Sequence, residues 1–254
     1  MVRSLFCGFL IAFLLLSCSD QQEMLPIDLQ AYIDANAQLP PHDELIACAA
    51  GGQVGILDDA PVSMILKPHY WGITDLRYYE STSSDIDPND LSQFVEKELG
   101  DEALFNGFLR RFKLPIPESD RWARVSFVAN DTLWYCKAVR LKFYEQASVF
   151  NNTDWCTVDL NTPTEPSFVW EEGTTQNNII FFQVISDQNG QAISGTYTTE
   201  RSFQFYDLAN VVLNVTDPGP IPVLLPNENY QFTLMGVSSD NWVNLIIQKD
   251  FTTE

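Results

Sequence analysis

From residue 43 onward the chain is built of short runs rich in Val, Ile, Phe, Tyr and Trp, separated by turn residues. The runs cover residues 44–50, 62–71, 75–81, 121–129 and 132–144, then 166–172, 178–187, 193–200, 201–208, 210–216, 229–238 and 241–251. β-Branched and aromatic side chains fit a pleated, half-buried surface, so each run predicts a strand. Helix-period segments are few. Residues 88–99 predict one: Asp87 is the N-cap, Pro88 takes the first helical position and Gly100 stops it. Within it Leu91, Phe94, Val95 and Leu99 recur at spacings of three and four, which gives one apolar face. Ile27 to Ala37 predicts a second, short helix that ends before Pro40-Pro41. Short strands at this spacing, almost without helices, argue for β-sandwiches.

An internal repeat supports two units. Arg121 to Phe143 and Asn229 to Phe251 each give two long strands joined by a tight polar turn, at Asn130-Asp131 and at Ser238 to Asn241. Trp134 and Trp242 stand near the second strand of each pair. Residues 151–166, rich in Asn, Thr and Pro, make the joint between the units. The expected organisation is a first domain over 43–150, carrying the helical insertion near 88–99, and a second domain over 151–254.

Two features of the second unit carry a resemblance. Trp170 sits where fibronectin type III modules place a core tryptophan, and Leu225 to Tyr230 resembles the corner where a tyrosine opens a late strand. That resemblance implies a mainly β fold of two tandem Ig/fibronectin type III-like β-sandwiches, the first with a short helical insertion. It implies no activity, because such folds host many functions.

The N-terminus has a separate logic. Arg3 precedes an apolar run from Leu5 to Leu16, and Ser17 precedes Cys18. Twelve residues are too few to cross a bilayer, which takes about 20 as a helix, so residues 1–17 predict a signal peptide. Leu15-Leu16-Ser17-Cys18 resembles the lipobox of bacterial lipoproteins. The resemblance implies that Cys18 carries diacylglycerol and a further acyl chain such as palmitate, with residues 18–42 as a tether. Ser19 to Glu23 resembles the acidic signal that sends lipoproteins of Bacteroidota to the outer face of the outer membrane. The whole layout is similar to surface lipoproteins of Bacteroidota with tandem modules of this kind.

Charge narrows the function. Lys and Arg number 14 against 34 Asp and Glu, a net charge of −20. Such a surface repels polyanions, so nucleic acid is excluded as a partner. Only two histidines occur, His42 and His69, and neither lies in a Gly-x-Ser-x-Gly elbow or a zinc spacing. No cofactor motif is present, and the reading is not an enzyme. Besides Cys18 the mature chain holds Cys48, Cys136 and Cys156, an odd number that allows at most one bridge.

Three weaker candidates remain. Asp85, Asp87 and Asn89, with Glu96 at the twelfth position, follow a calcium-loop template, although Asp90 stands where glycine makes the turn. Helix capping explains the same acids. Tyr70, Trp71, Tyr79 and Trp134 are candidate ligand-contact aromatics, since neighbours along a strand face opposite ways and one of each pair points outward. Asp131-Thr132-Leu133 resembles the three-residue O-glycosylation site of exported Bacteroidota proteins, with Thr132 as acceptor. The resulting expectation is an outer-membrane, surface-exposed lipoprotein. It would meet the membrane through its lipid and act as a non-catalytic binding or structural module for a protein or glycan. The alternatives are a subunit of a surface export or glycan-uptake complex and, last, a glycan-acting hydrolase. Replacing Cys18 by Ala is expected to move the protein from the membrane pellet to the soluble fraction and to abolish labelling by an alkyne-tagged fatty acid. Wild-type protein that takes up no label overturns the lipid anchor.

Overall fold

The computed structural model describes residues 27–53, 55–142, 147–151, 155–175 and 177–254. Cys18 and the segment before residue 27 lie outside them. The first element is helix α1, Leu29–Ala35, within the span expected for the short N-terminal helix. Asp28 caps it by accepting the Ala31 N–H at 2.8 Å. Its buried face, Leu29 and Tyr32, packs on Tyr79, Phe94 and Leu133. Residues 27–42, expected as part of a tether, are therefore integral to the fold, because burying those two side chains outweighs ordering about two turns of helix.

The first sandwich contains β1 Pro41–Leu45, β2 Ala47–Gly51, β3 Val62–Leu66, β4 Thr74–Glu80, β5 Val95–Lys97, β6 Asp101–Leu104, β7 Leu109–Leu114, β8 Arg121–Ala129, β9 Thr132–Cys136 and β10 Val139–Leu141. One sheet has the order β1-β9-β8-β4-β5, with β10 also on β8. The facing layer is β2-β3-β7-β6. Between them lies a core of Met64, Leu66, Tyr78, Phe112, Val125 and Phe127.

The second sandwich contains β11 Val149–Asn151, β12 Cys156–Asp159, β13 Ser167–Trp170, β14 Asn178–Asp187, β15 Ala192–Thr198, β16 Ser202–Gln204, β17 Val211–Asn214, β18 Asn229–Ser238 and β19 Trp242–Thr252. Its small sheet is β12-β13-β16 and its large layer is β17-β15-β14-β18-β19. Phe168 and Phe232 stack across the core with centroids 4.1 Å apart, and Trp170 is buried beside them. The corner read from Leu225 to Tyr230 closes: the Leu225 N–H donates to the Tyr230 hydroxyl at 2.8 Å, which partners the phenol oxygen of a buried ring.

Both sandwiches start in the same way. β1 runs parallel to β9, after which β2 crosses over to pair antiparallel with β3. Likewise β11 runs parallel to β19 before β12 pairs antiparallel with β13. Each entering chain thus hydrogen-bonds to both sheets of its sandwich and covers an edge in each.

The helix expected over 88–99 is not formed. Leu91–Gln93 makes a single 3-10 turn capped by Asp90, and Val95–Lys97 becomes β5 on the edge of β4. An isolated helix of twelve residues is marginal in water, whereas β5 satisfies the open backbone groups of β4. Phe94 is fully buried under the Arg124 guanidinium, 4.9 Å from its carbon, and Arg124 also donates to the carbonyls of Cys136 and Pro88 at 2.6 Å. Arg124 pins the segment against β8.

The two sandwiches share one ten-stranded sheet. β19 pairs in parallel with β2 through Trp242–Ala49 and Val243–Ala50, then with β11 from Leu245 to Ile247. Trp242, on the last strand, is buried in the core of the first sandwich. A third core joins Ile65, Leu104, Phe108 and Leu109 to Phe182, Val184, Met235 and Ile246. The shared sheet must therefore curl back on itself, with one face around this third core and its other face on the two sandwich cores. The β18–β19 turn adds polar ties: Asp240 accepts from Ser238 Oγ at 2.5 Å and from Lys142 Nζ at 2.9 Å, and its carbonyl accepts the Arg140 N–H.

Two outcomes follow from this junction. Trp242→Ala should cost about 3–5 kcal/mol, the usual range for emptying a buried aromatic site, in a single denaturation transition shared by both halves. Two separated transitions, with only one moved by the substitution, overturn the shared core. Burial pushes the Asp240 pKa up, but its bonds from Ser238 and Lys142 outweigh that and hold it below the usual carboxylate value. A lowered folded pKa gives stability that is present above the unfolded value and lost as pH falls through the folded one. Asp240→Asn should thus destabilise by about 1 kcal/mol at pH 7, with the difference vanishing in melts at about pH 2.

Candidate functional site

The loop from β3 to β4 must pass from one sheet of the first sandwich to the other, and it reverses at Gly72, whose φ of +94° a side chain would resist. The Gly72 N–H donates to the His69 carbonyl at 2.9 Å, and the Trp71 N–H donates to His69 Nδ1 at 3.3 Å. This tight turn lifts Tyr70 and Trp71 off the core, 47% and 70% exposed.

The rings of this turn continue into a row. Trp71 lies 4.5 Å from Tyr70, and Tyr70 stacks on His69 at 4.8 Å. His69 is 6.0 Å from Trp134, which is 4.4 Å from His42. The last contact follows from pairing, since His42 and Trp134 are register partners of the parallel β1–β9 ladder. Trp134 is further oriented by donating its indole N–H to the Ala129 carbonyl at 3.4 Å. Beside the row is a cavity of about 300 Å³, lined by His69, Tyr70 and Trp134 and closed from the second sandwich by Asn214 to Pro218. Lys67 crosses this wall, with its ammonium 2.7 Å from Asp217 and 4.2 Å from the centre of the Phe108 ring.

The expected aromatics therefore divide. Tyr70, Trp71 and Trp134 come together. Tyr79 does not: it is fully buried, its hydroxyl is 3.3 Å from Ser126 Oγ, and burial pushes its phenol pKa up. In β4 it is Tyr79 that faces α1, and that helix takes its exposed side away. Sequence reading assigned His42 and His69 no part in the site. Neither cross-strand register nor the path of a loop is visible in local pattern.

The other candidates are placed as follows. Asp87 accepts the Asn89 N–H at 2.9 Å in a local turn, and Glu96 pairs with Arg77 at 3.0 Å. The calcium template is thus not gathered, and among the described residues no group of three His, Cys, Asp or Glu is arranged to hold a metal. Thr132 follows the hairpin turn at Asn130-Asp131, half-buried, its hydroxyl donating to the Asn130 carbonyl at 3.3 Å. Cys48, Cys136 and Cys156 are free thiols. Burial pushes Cys48 up to about 12 and Cys136 and Cys156 up to about 11, which keeps the reactive thiolate scarce at neutral pH.

Among the described residues the displaced carboxyls move one way. Lys137 holds Asp43 low, Lys113 with Arg111 holds Asp59 and Glu102 low, and Ser92 does the same for Asp90. A general acid working near neutral pH needs the opposite displacement. The arrangement offers exposed aromatic faces, an ion pair between Lys67 and Asp217, and a recess beside them.

No protein-family model and no curated protein matches the chain. Among solved structures it is similar to a segment of two fibronectin type III domains from chicken tenascin, at 9% identity, covering 83% of this chain and 98% of that one with a TM-score of 0.31. It is also similar to the FN1–FN3 domains of chicken CNTN1, at 10% identity over 85% of this chain and 68% of that one, TM-score 0.30. A cytokine receptor complex gives 9% identity over 75% and 91%, TM-score 0.27. Superposition at such scores is loose, and the tandem sandwich architecture rests on the strand order and register described above.

Proposed function

We propose that this chain is a non-catalytic binding module, held at the outer face of a bacterial outer membrane by lipid on Cys18, and that Tyr70, Trp71 and Trp134 contact its partner. The carrying observation is Trp71. An indole 70% exposed at the tip of a glycine-reversed turn does little for the core. Burying such a ring against a partner is worth about 2 kcal/mol or more at interface hot spots. The four rings behind it hold its turn in place, so little ordering is left for the binding event.

A second reading, a subunit of a larger surface complex, is favoured by a different surface. Between β17 and β18 an extended, proline-rich segment buries Leu224 and turns Ile221, Val223 and Leu225 outward, 74%, 70% and 60% exposed. Prolines at 220, 222 and 226 stiffen it, so an apolar ridge is offered in fixed form.

One experiment separates the two. Lipidated full-length protein is crosslinked in native outer membranes, and the captured species are compared among wild type, Trp71→Ala and Val223→Asp. Loss of a wild-type partner on Trp71→Ala, with about 30-fold weaker binding and a melting curve within 0.5 kcal/mol of wild type, is the expected result. Loss only on Val223→Asp selects the complex subunit. Equal capture by all three proteins overturns both readings.

A further inference from the structure

A second opening, a cleft of about 940 Å³, lies where the sandwiches meet and shares no lining residue with the aromatic row. One wall is the β18–β19 ladder, and the other is formed by the Gly55–Leu57 turn and the Phe105–Gly107 turn. Its chemistry is set by a relay of amides. The Ile56 N–H donates to Gln248 Oε1 at 3.2 Å. Gln248 Nε2 donates to Gln231 Oε1 at 2.9 Å, and Gln231 Nε2 donates to Asp250 Oδ1 at 2.9 Å. Because the first donor is a backbone N–H, both carboxamides are held in one orientation. Each keeps a second N–H for a ligand, and the Asp250 carboxylate keeps acceptor capacity. The relay depends on Gly55, whose φ is +53° and where a Cβ would overlap both Gln248 Oε1 and the Phe150 ring.

The facing turn carries strain. Phe105 and Asn106 both adopt left-handed backbone, with φ of +49° and +53°. A bulky residue in that region costs about 1–3 kcal/mol and persists where the surroundings impose it, often at binding sites. The turn sets the half-exposed Phe105 ring at the cleft, while Asn106 Nδ2 reaches the Asn189 carbonyl of the second sandwich at 3.4 Å.

The lining selects a ligand class. It contains no Lys, Arg or His and two aspartates, Asp187 and Asp250, so anionic ligands are repelled. β18 is paired on both sides, so at this cleft a peptide strand could join only the outer edge of β6 or the end of β19 beyond Ile247. Asp187 accepts the Asn189 and Gln191 N–H groups through Oδ1, which fixes its carboxylate in the local turn. The oriented amides of Gln231 and Gln248, the Asp250 carboxylate and the Phe105 ring favour a ligand whose hydroxyls both donate and accept and whose ring has an apolar face. We propose that this cleft binds a neutral oligosaccharide, with Gln231, Gln248 and Asp250 meeting its hydroxyls and Phe105 stacking on a sugar ring. The proposal rests on the binding-module reading and gives it a ligand class, but at a site separate from Trp71.

The test uses the full chain in detergent on an array of neutral gluco-, xylo- and manno-oligosaccharides, with sulfated and uronic-acid chains beside them. The best neutral probe is then titrated calorimetrically into wild type, Phe105→Gly, Gln231→Leu and Trp71→Ala. Glycine is at ease at φ +49°, which offsets part of the packing lost where Phe105 meets the third core, so Phe105→Gly should still melt cooperatively while weakening binding at least about tenfold. Gln231→Leu should weaken binding similarly, and Trp71→Ala should not. An array without neutral hits, or titrations unchanged by Phe105→Gly, overturns the proposal. Binding lost in Trp71→Ala alone moves the sugar to the aromatic row, ending the cleft assignment while the binding-module reading stands.

Discussion

A strand buried between two others must find hydrogen-bond partners on both edges, and β19 meets that demand up to Ile247 with β18 on one side and two short strands on the other. Its inner edge takes β18 over nearly its whole length. Its outer edge is too long for any one neighbour. β2 occupies the start, at Trp242 and Val243, and β11 the middle, from Leu245 to Ile247. Everything that makes the two sandwiches one body follows from this division. Trp242 is carried into the first core, and the sheet is drawn round so that Ile65 and Phe182 face the same apolar interior.

Both openings on the surface are products of that union. The recess beside the aromatic row is closed by Asn214 to Pro218 from the second sandwich, and the amide cleft has one wall from each. Phe108 and Lys67 stand between them: Phe108 packs into the third core, Lys67 lies over its ring and reaches Asp217. Separating the sandwiches would therefore dismantle both openings along with the core. A single rigid body is a sound support for binding surfaces, because ordering costs are met in folding rather than at encounter.

Much of this was legible locally. Alternating β-branched and aromatic residues marked the long strands, the Asn130-Asp131 turn marked a hairpin, and Trp170 with Tyr230 marked the second core and its corner. The segment near residue 94 was misread because Leu91, Phe94 and Val95 have helical spacing, yet Phe94 is held by Arg124 and Val95 by the edge of β4. Tyr79 was misread for a similar reason: the side of the sheet it faces is covered by a helix that begins fifty residues earlier in the chain.

Residue chemistry along the chain thus accounts for the strands, the turns, the paired architecture and the strong negative charge, since each depends on neighbours a few positions away. It also picked out Tyr70, Trp71 and Trp134. Tertiary structure alone decided that His42 and His69 join those rings and that Trp242 belongs to the first core. It alone aligned Gln231, Gln248 and Asp250 behind the Ile56 N–H. These arrangements rest on strand register, on which edge each short strand covers, and on contacts between residues as far apart as Ile56 and Gln248. Such pairings leave no periodic trace in a single sequence, because the energy that selects them comes from surfaces meeting only after both sandwiches have formed.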